Sequence, residues 1–188
     1  MELTQEQRLE RKIRYFEYIV FKLIEWYEEV KEADDESVEK HFSRIVVMKL
    51  LFFVAAVKND NGEDLLDIFN DFYAMQYGPV EGEIYTAIVE KRLEYYSFPV
   101  YPVPKLEKKS PESSPILEEE GRVFAAIAAL REKNNELILY SSSQLIELTH
   151  KWTCWKRAFS RARDRYAGCE FIAQEKIQEE SKTTTYFK

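Results

Sequence analysis

Residues 145–158 read LIELTHKWTCWKRA, and the spacing of their apolar side chains predicts a helix with one core-facing stripe. The stripe continues past this segment at steps of three and four residues, the repeat of a helix that packs on one side. Ser141, followed three residues later by Gln144, predicts a capping box that starts the helix. The stripe is formed by Leu145, Leu148, Trp152, Trp155, Phe159, Ala162 and Tyr166.

Three reactive side chains, Glu147, His150 and Cys154, share one face of this predicted helix. A metal centre is one interpretation, because Glu-x-x-His on a helix is the pattern of di-iron bundles. That architecture needs a second such pair, and the only other histidine, His41, has Val38 three residues before it. A Cys–His nucleophile pair is the second interpretation, but it requires a lowered thiol pKa and an oxyanion hole, and no motif supplies either.

The third interpretation of this face is structural, with His150 making a hydrogen bond and Cys154 filling a small buried space. The sequence also contains no phosphate loop, zinc signature or nucleophile elbow. We therefore predict no catalytic residue, no metal ligand and no cofactor, and we expect the protein not to be an enzyme. An enzyme that uses Glu147, His150 and Cys154 remains the less favoured alternative.

Composition favours one compact helical domain. The chain has 188 residues, 45% of them hydrophobic, with only 5 glycines and 6 prolines. The predicted fold class is mainly α: a single compact helical domain with a long N-terminal helix and at most short strands near Tyr77-Gly78-Pro79. We expect a cytoplasmic protein, because the sequence shows no membrane-length apolar run and no signal-peptide core, and Cys154 and Cys169 fit free thiols.

Residues 1–40 are predicted to form an amphipathic helix followed by an acidic connection. Thr4 with Gln7 fits a capping box, and an apolar seam then alternates steps of four and three residues. Such a seam packs along its own domain, or it contacts a partner or a second copy of the chain, and both alternatives stay open. Surplus apolar side chains beside the seam indicate a partner contact that includes Tyr15, Ile19 and Trp26.

The remaining chain is predicted to form a helical domain over residues 41–180 and a flexible tail over residues 181–188. Residues 98–115 hold five of the 6 prolines and predict an exposed loop insert of polyproline character. Periodicity predicts helices over residues 37–57, 83–96 and 117–133, and a segment over residues 64–75 that begins helical and ends extended.

Charge is unevenly distributed along the chain. The formal net charge is −7, residues 28–40 are strongly acidic, and residues 151–165 hold six basic residues against Asp164. The acidic balance argues against general nucleic-acid affinity and suits a basic protein partner. Lys156 and Arg157 in the basic segment are predicted to contact a partner. A nucleic-acid-binding regulator that uses residues 151–165 is the alternative, although the aromatic residues there lie on the predicted core stripe.

A second segment, Tyr77-Gly78-Pro79-Val80, predicts an ordered bend between an extended piece and a helix. Glycine permits backbone conformations that other residues resist, and proline fixes its own φ and restricts the residue before it. Gly-Pro is a common turn signal and by itself indicates no function.

Three segments together resemble a known family. MKLLFFVAA (48–56), YGPVEGEIY (77–85) and LIELTHKWTCWKRA (145–158), in this order and spacing, are similar to the SocA-like Panacea domain over roughly residues 44–180. That family includes antitoxins of toxin–antitoxin pairs and phage-associated proteins of the GepA type. The residues that match its motifs, which we interpret as structural, are Lys49, Leu50, Tyr77, Gly78, Pro79, Thr149, His150 and Trp155.

The resemblance implies an antitoxin from a bacterial or phage-associated system. Such a protein would neutralise a cognate toxin, encoded by an adjacent gene, by direct binding or by delivering it to a protease. A homodimer is compatible with this reading, a membrane partner is not expected, and nucleic acid is an unfavoured partner.

Overall fold

The computed structural model describes residues 3–31, 35–99, 105–108, 120–182 and 187. Within these residues the fold is mainly helical, with a long N-terminal helix and short strands around the Tyr77 turn, which confirms the predicted fold class. The helices are α1 (Gln5–Lys31), α2 (Asp35–His41), α3 (Arg44–Ala56), α4 (Gly82–Val89), α5 (Glu120–Lys133), α6 (Ser142–His150), α7 (Thr153–Asp164) and α8 (Gln174–Ser181). The strands are β1 (Phe72–Met75), β2 (Gly78–Glu81), β3 (Tyr96–Ser97), β4 (Glu107–Lys108) and β5 (Glu170–Phe171), and Leu137–Leu139 form a 3-10 turn.

Helix α3 is the centre of the core. Every residue from Val46 to its last residue is buried, because the helix is apolar on all sides and contacts α1, α5, α6, α8 and β2. Ser43 caps its first turn by accepting a hydrogen bond from the Val46 amide. The predicted single helix over residues 37–57 is therefore two helices, separated at Phe42-Ser43, where the cap residue adopts an extended backbone.

Helix α1 packs inside the same core, against α3, α4 and α5, and its predicted capping box is present. Tyr15, Ile19 and Trp26 are buried at 2%, 0% and 0% exposure, and the Trp26 indole donates to the Asn135 carbonyl. The prediction that these three residues contact a partner is wrong, because the chain itself covers them. Periodicity identified an apolar helix, but the apolar surface extends around most of it and meets several elements of its own domain.

A small antiparallel sheet in the order β2–β1–β5 lies beside α3 and α7. The β1–β2 hairpin pairs Met75 with Gly78 next to its turn, and β1 also pairs Tyr73 with Phe171 of β5. Strands β3 and β4 form a separate two-stranded ribbon. The hairpin therefore brings the Tyr77 turn against the centre of the domain.

The predicted continuous helix through residues 145–166 is instead α6 and α7, separated at Lys151-Trp152. The Glu180 carboxylate of α8 accepts from the amides of Thr153 and Cys154 at 2.6 and 2.8 Å, and so caps α7 from outside. At this break Trp152 is fully buried in the core, where its ring packs edge-on against Phe52 with the ring centroids 4.9 Å apart. The capping box of α6 at Ser141 and Gln144 is present as predicted.

Other boundaries also differ from the predicted ones. The helix predicted over residues 83–96 ends at Val89, and Lys91 follows with a φ of 58°, which ends the helical path. Of the predicted loop over residues 98–115, residues 100–104 and 109–115 lie outside the described residues, and Glu107–Lys108 pair with β3. Phe187 of the predicted flexible tail is buried against Phe53 and Trp152, whereas residues 183–186 and 188 lie outside the described residues.

In the described parts of the chain, no helix combines the length and the apolar character that a membrane crossing requires.

A buried ion pair joins α1 to the hairpin. The Lys12 ammonium lies 2.7 Å from Glu81, which is fully buried, and it also contacts Glu83. The second Glu81 oxygen accepts from the Ile84 amide at 2.8 Å and caps α4. Burial raises the pKa of Glu81, and the Lys12 charge opposes that shift.

Replacing Lys12 with methionine is expected to lower the free energy of unfolding by about 3 kcal/mol near neutral pH, because the Glu81 carboxylate loses its buried countercharge. The loss should shrink as the pH falls, since a protonated Glu81 needs no partner. Urea denaturation at several pH values measures both effects. Lys176, whose ion pair with Glu179 is exposed, provides the control Lys176→Met, which should leave the unfolding midpoint unchanged. Equal losses in both variants would contradict the prediction.

Candidate functional site

The side chains of the three motif segments meet around the turn of the β1–β2 hairpin. α3 contributes Lys49, α6 contributes Thr149 and His150, and α7 contributes Trp155, while Gly78 and Pro79 are the first two residues of β2, directly after the turn. We call Lys49, Gly78, Pro79, Thr149, His150 and Trp155 the motif cluster. Leu50 is buried in α3 beside it, and Tyr77, at the hairpin turn, is 57% exposed.

Lys49 is the most unusual member of the cluster. Its side chain is 2% exposed, and its amine donates to the Pro79 carbonyl at 2.8 Å. No ion pair of Lys49 occurs among the described residues. Burial without a countercharge lowers the pKa of Lys49 to about 7. The amine thus fastens the hairpin to α3 through one short hydrogen bond.

Gly78 lies where only glycine fits. Its φ is +95°, and a Cβ at this position would stand 2.4 Å from Thr149 Oγ1 and 3.1 Å from Lys49 Cε. Thr149 is fully buried, and its hydroxyl donates to the Ile146 carbonyl within α6. The hairpin backbone therefore packs directly on side chains of α3 and α6.

Trp155 and His150 fasten the other side of the hairpin. The Trp155 indole donates to the Met75 carbonyl at 3.0 Å, and the His150 ring stacks on Trp155 at 3.9 Å with an interplanar angle of 11°. Burial lowers the pKa of His150, and a hydrogen bond with the Gln76 backbone opposes that shift. The cluster therefore holds the hairpin between three helices.

The reactive face predicted at Glu147, His150 and Cys154 lacks the electrostatics of a nucleophile. Burial raises the pKa of the Cys154 thiol, and so does the nearby Glu180 carboxylate, to which the thiol is hydrogen-bonded. A thiol activated for catalysis needs a pKa shift in the opposite direction. Among the residues that the structure describes, no group of three or more His, Cys, Asp and Glu side chains is placed to hold a metal ion.

The two thiols are expected to differ in reactivity. Cys154 is buried with a raised thiol pKa, whereas Cys169 is partly exposed, so a thiol reagent such as Ellman's should modify one thiol per native chain. Cys169→Ser should abolish that fast reaction, and Cys154→Ser should leave it unchanged. Fast modification of Cys154 in the native chain would contradict the raised pKa.

The two basic residues predicted to contact a partner, Lys156 and Arg157, are exposed on α7. Phe159, on the same helix, is half-buried and stacks on Trp155 at 5.1 Å. The side of α7 that carries Lys156 thus adjoins the motif cluster and faces solvent. Contact of Lys156 and Arg157 with a partner stays a prediction.

One family model matches the chain: "Antitoxin SocA-like, Panacea domain", over residues 47–156. The matched range covers more than half of the chain and contains the whole motif cluster. No curated protein and no solved structure matches the chain.

Proposed function

The chain belongs to the SocA-like antitoxin family with a Panacea domain, and on that premise we propose that it neutralises a cognate toxin. The toxin is a protein encoded by an adjacent gene, and neutralisation proceeds by direct binding or by delivery of the toxin to a protease. The family match over residues 47–156 is the observation that carries the proposal.

The geometry of the motif cluster supports a binding role over a catalytic one. Lys49, Thr149 and Trp155 are buried, and their polar atoms bond to backbone carbonyls of the hairpin or of α6. The Cys154 thiol has a raised pKa, which opposes nucleophilic attack. Binding of a partner then falls to the exposed surface of the domain.

The setting we propose is the cytoplasm of a bacterial cell, in a chromosomal or phage-associated toxin–antitoxin pair. Cys154 and Cys169 are unpaired thiols, which suits a reducing compartment. The net charge of −7 favours long-range attraction to a basic toxin.

Co-expression tests the proposal. Induction of the adjacent gene alone should arrest growth, and co-expression of this chain should restore growth and yield a co-purifying complex. Direct binding leaves the toxin level unchanged, whereas delivery to a protease shortens the half-life of the toxin only in cells that hold the protease. A harmless adjacent gene product, or growth arrest that this chain does not relieve, would refute the proposal.

The variant His150→Phe separates binding from catalysis. Phenylalanine keeps a ring to stack on Trp155 but removes both imidazole nitrogens and with them the hydrogen bond to the Gln76 backbone. Lys49 and Trp155 still bond to the hairpin, so it should stay in place and neutralisation should persist. Growth rescue and circular dichroism are the measurements. A correctly folded variant that no longer neutralises the toxin would favour chemistry at His150.

A further inference from the structure

The exposed side of α7 contains a surface pocket of about 550 Å³. Two aromatic rings, Trp155 and Phe159, line it together with the polar side chains of Lys156, Ser160, Arg163 and Asp164. Lys156 and Arg163 are seven residues apart, so they project from the same side of the helix. We call these six residues the α7 pocket.

A stack of three rings holds the pocket in place. His150 lies 3.9 Å from Trp155, and Trp155 lies 5.1 Å from Phe159, with interplanar angles of 11° and 13°. The Trp155 indole is fixed to the Met75 carbonyl. A fixed aromatic surface loses little conformational entropy when a partner covers it, which favours recognition.

Within the part of the chain that the structure describes, the cationic side chains around the pocket lack partners. Lys156, Arg157 and Arg163 are exposed, and among the described residues none of their side chains makes an ion pair or hydrogen bond. Two neighbouring arginines do have a partner. Arg161 of α7 lies 3.3 Å from the Glu170 carboxylate, and Arg165, the residue after α7, lies 3.4 Å from it. The pocket is therefore bordered by cations, with Asp164 as its one acidic residue, on a chain whose net charge is −7. An acidic ligand would gain Coulomb energy there without displacing an existing pair.

We infer that the α7 pocket is the toxin-binding surface and that the toxin presents an acidic segment to it. The inference rests on the proposed function. Carboxylates of the segment pair with Lys156 and Arg163, and an apolar side chain beside them covers Phe159. The overall acidity of the chain can still attract a toxin that is basic elsewhere, because long-range attraction and local pairing involve different surfaces.

A protein segment fits this pocket better than nucleic acid does. Trp155 is 7% exposed and already stacked with His150 and Phe159, so it has no free face for a base. The net charge of −7 on the whole chain would also repel a long phosphate backbone that extends beyond the pocket. A short acidic segment meets only the local cations.

Charge reversal tests the inference in the full chain, with the growth-arresting product of the adjacent gene as the probe. Lys156→Glu/Arg163→Glu is expected to weaken binding by about tenfold or more and to abolish growth rescue. The matched control is Lys133→Glu/Lys182→Glu, which changes net charge equally at two exposed lysines, the last residue of α5 and the residue after α8, and should change affinity less than about twofold. Circular dichroism checks that both variants fold.

The outcomes separate the two proposals. If the unaltered chain neither binds nor neutralises the toxin, the proposed function fails, and the inference fails with it. If the unaltered chain binds but the α7 variant binds equally well, or the control loses as much affinity, only the inference is overturned. A labelled single-stranded RNA tests the remaining alternative. If this RNA binds the unaltered chain with a steep salt dependence, and the α7 variant loses RNA binding but keeps toxin binding, the pocket is a nucleic-acid site instead.

Discussion

Replacing Gly78 with alanine is expected to lower the free energy of unfolding by about 4 kcal/mol, a large fraction of the stability of a domain of this size. Two costs add at this position. The backbone φ of +95° strains any residue with a Cβ, at about 1–2 kcal/mol. The new methyl group would also stand 2.4 Å from Thr149 Oγ1, and relief of that overlap requires movement of α6 or the hairpin, at about 1–3 kcal/mol.

Two other glycines separate these costs. Gly62 has a φ of +77° but open space around it, so Gly62→Ala should show the strain alone, about 1 kcal/mol. Gly121 lies in α5 with open space and no unusual φ, so Gly121→Ala should raise stability by as much as about 1 kcal/mol. Urea denaturation of the three variants measures the series. A Gly78→Ala loss no larger than that of Gly62→Ala would contradict the close contact with Thr149.

The helical class of the fold and most of its helices could be predicted because they depend on local signals. The α1 and α6 caps are side-chain-to-backbone bonds three residues apart, and the apolar repeat of α1 is visible without any tertiary information. The break between α6 and α7 could not be predicted in this way. Its cap comes from Glu180, more than twenty residues later, and no local pattern announces a carboxylate that arrives from another helix.

The candidate site was predictable only in part, because sequence patterns give no information on tertiary contacts. The family resemblance marks Lys49, Gly78 and Trp155 as motif residues, but it does not reveal that they meet at one hairpin. Periodicity shows which side of a helix is apolar but not what covers that side. The apolar surplus at Tyr15 and Trp26 therefore predicts a partner contact, whereas the domain itself buries both residues.

Buried charges escaped prediction altogether. Glu17 is fully buried and accepts hydrogen bonds from the Tyr95 and Tyr96 amides, at 2.6 and 3.3 Å, yet it stands in a helix rich in exposed acids. Lys12 and Glu81 are equally inconspicuous in the sequence. A charged residue is buried only where a partner distant in the sequence compensates its charge, and the pattern of a single sequence does not identify that partner.

The stability of the chain is expected to rise with pH through the ionisation of Lys49. The pKa of this amine is about 7 in the folded chain, against 10.5 for an ordinary lysine, so the unfolded chain binds more protons between these values. The stabilisation by the neutral amine is therefore complete above pH 10.5 and is lost as the pH falls toward 7. Below pH 7 the contribution of Lys49 to the free energy of unfolding levels off. One pKa unit corresponds to about 1.4 kcal/mol, so the difference between 10.5 and about 7 corresponds to about 5 kcal/mol in full, of which about 4 kcal/mol falls between pH 7 and pH 10.5.

The variant Lys49→Met isolates this effect. The Cys154 thiol and the Tyr96 hydroxyl titrate in this window only in the unfolded chain, because burial raises their pKa values in the fold. Their contributions are common to both chains and cancel in the difference. Loss of the hydrogen bond to Pro79 adds an offset that does not vary with pH, because the pH dependence is already contained in the folded and unfolded pKa values of Lys49. The unaltered chain should therefore gain about 3 kcal/mol over Lys49→Met between pH 7 and about pH 9.5.

Exposed Lys133 supplies the control, because Lys133→Met should show no such slope. A flat difference between the unaltered chain and Lys49→Met would mean that the amine stays charged in the fold, with water or an unrecognised acid beside it. A slope would establish that the hairpin is held to α3 by a neutral amine. In that case acidification weakens this attachment without breaking the chain's other contacts, since Trp155 and the Lys12–Glu81 pair hold the hairpin independently.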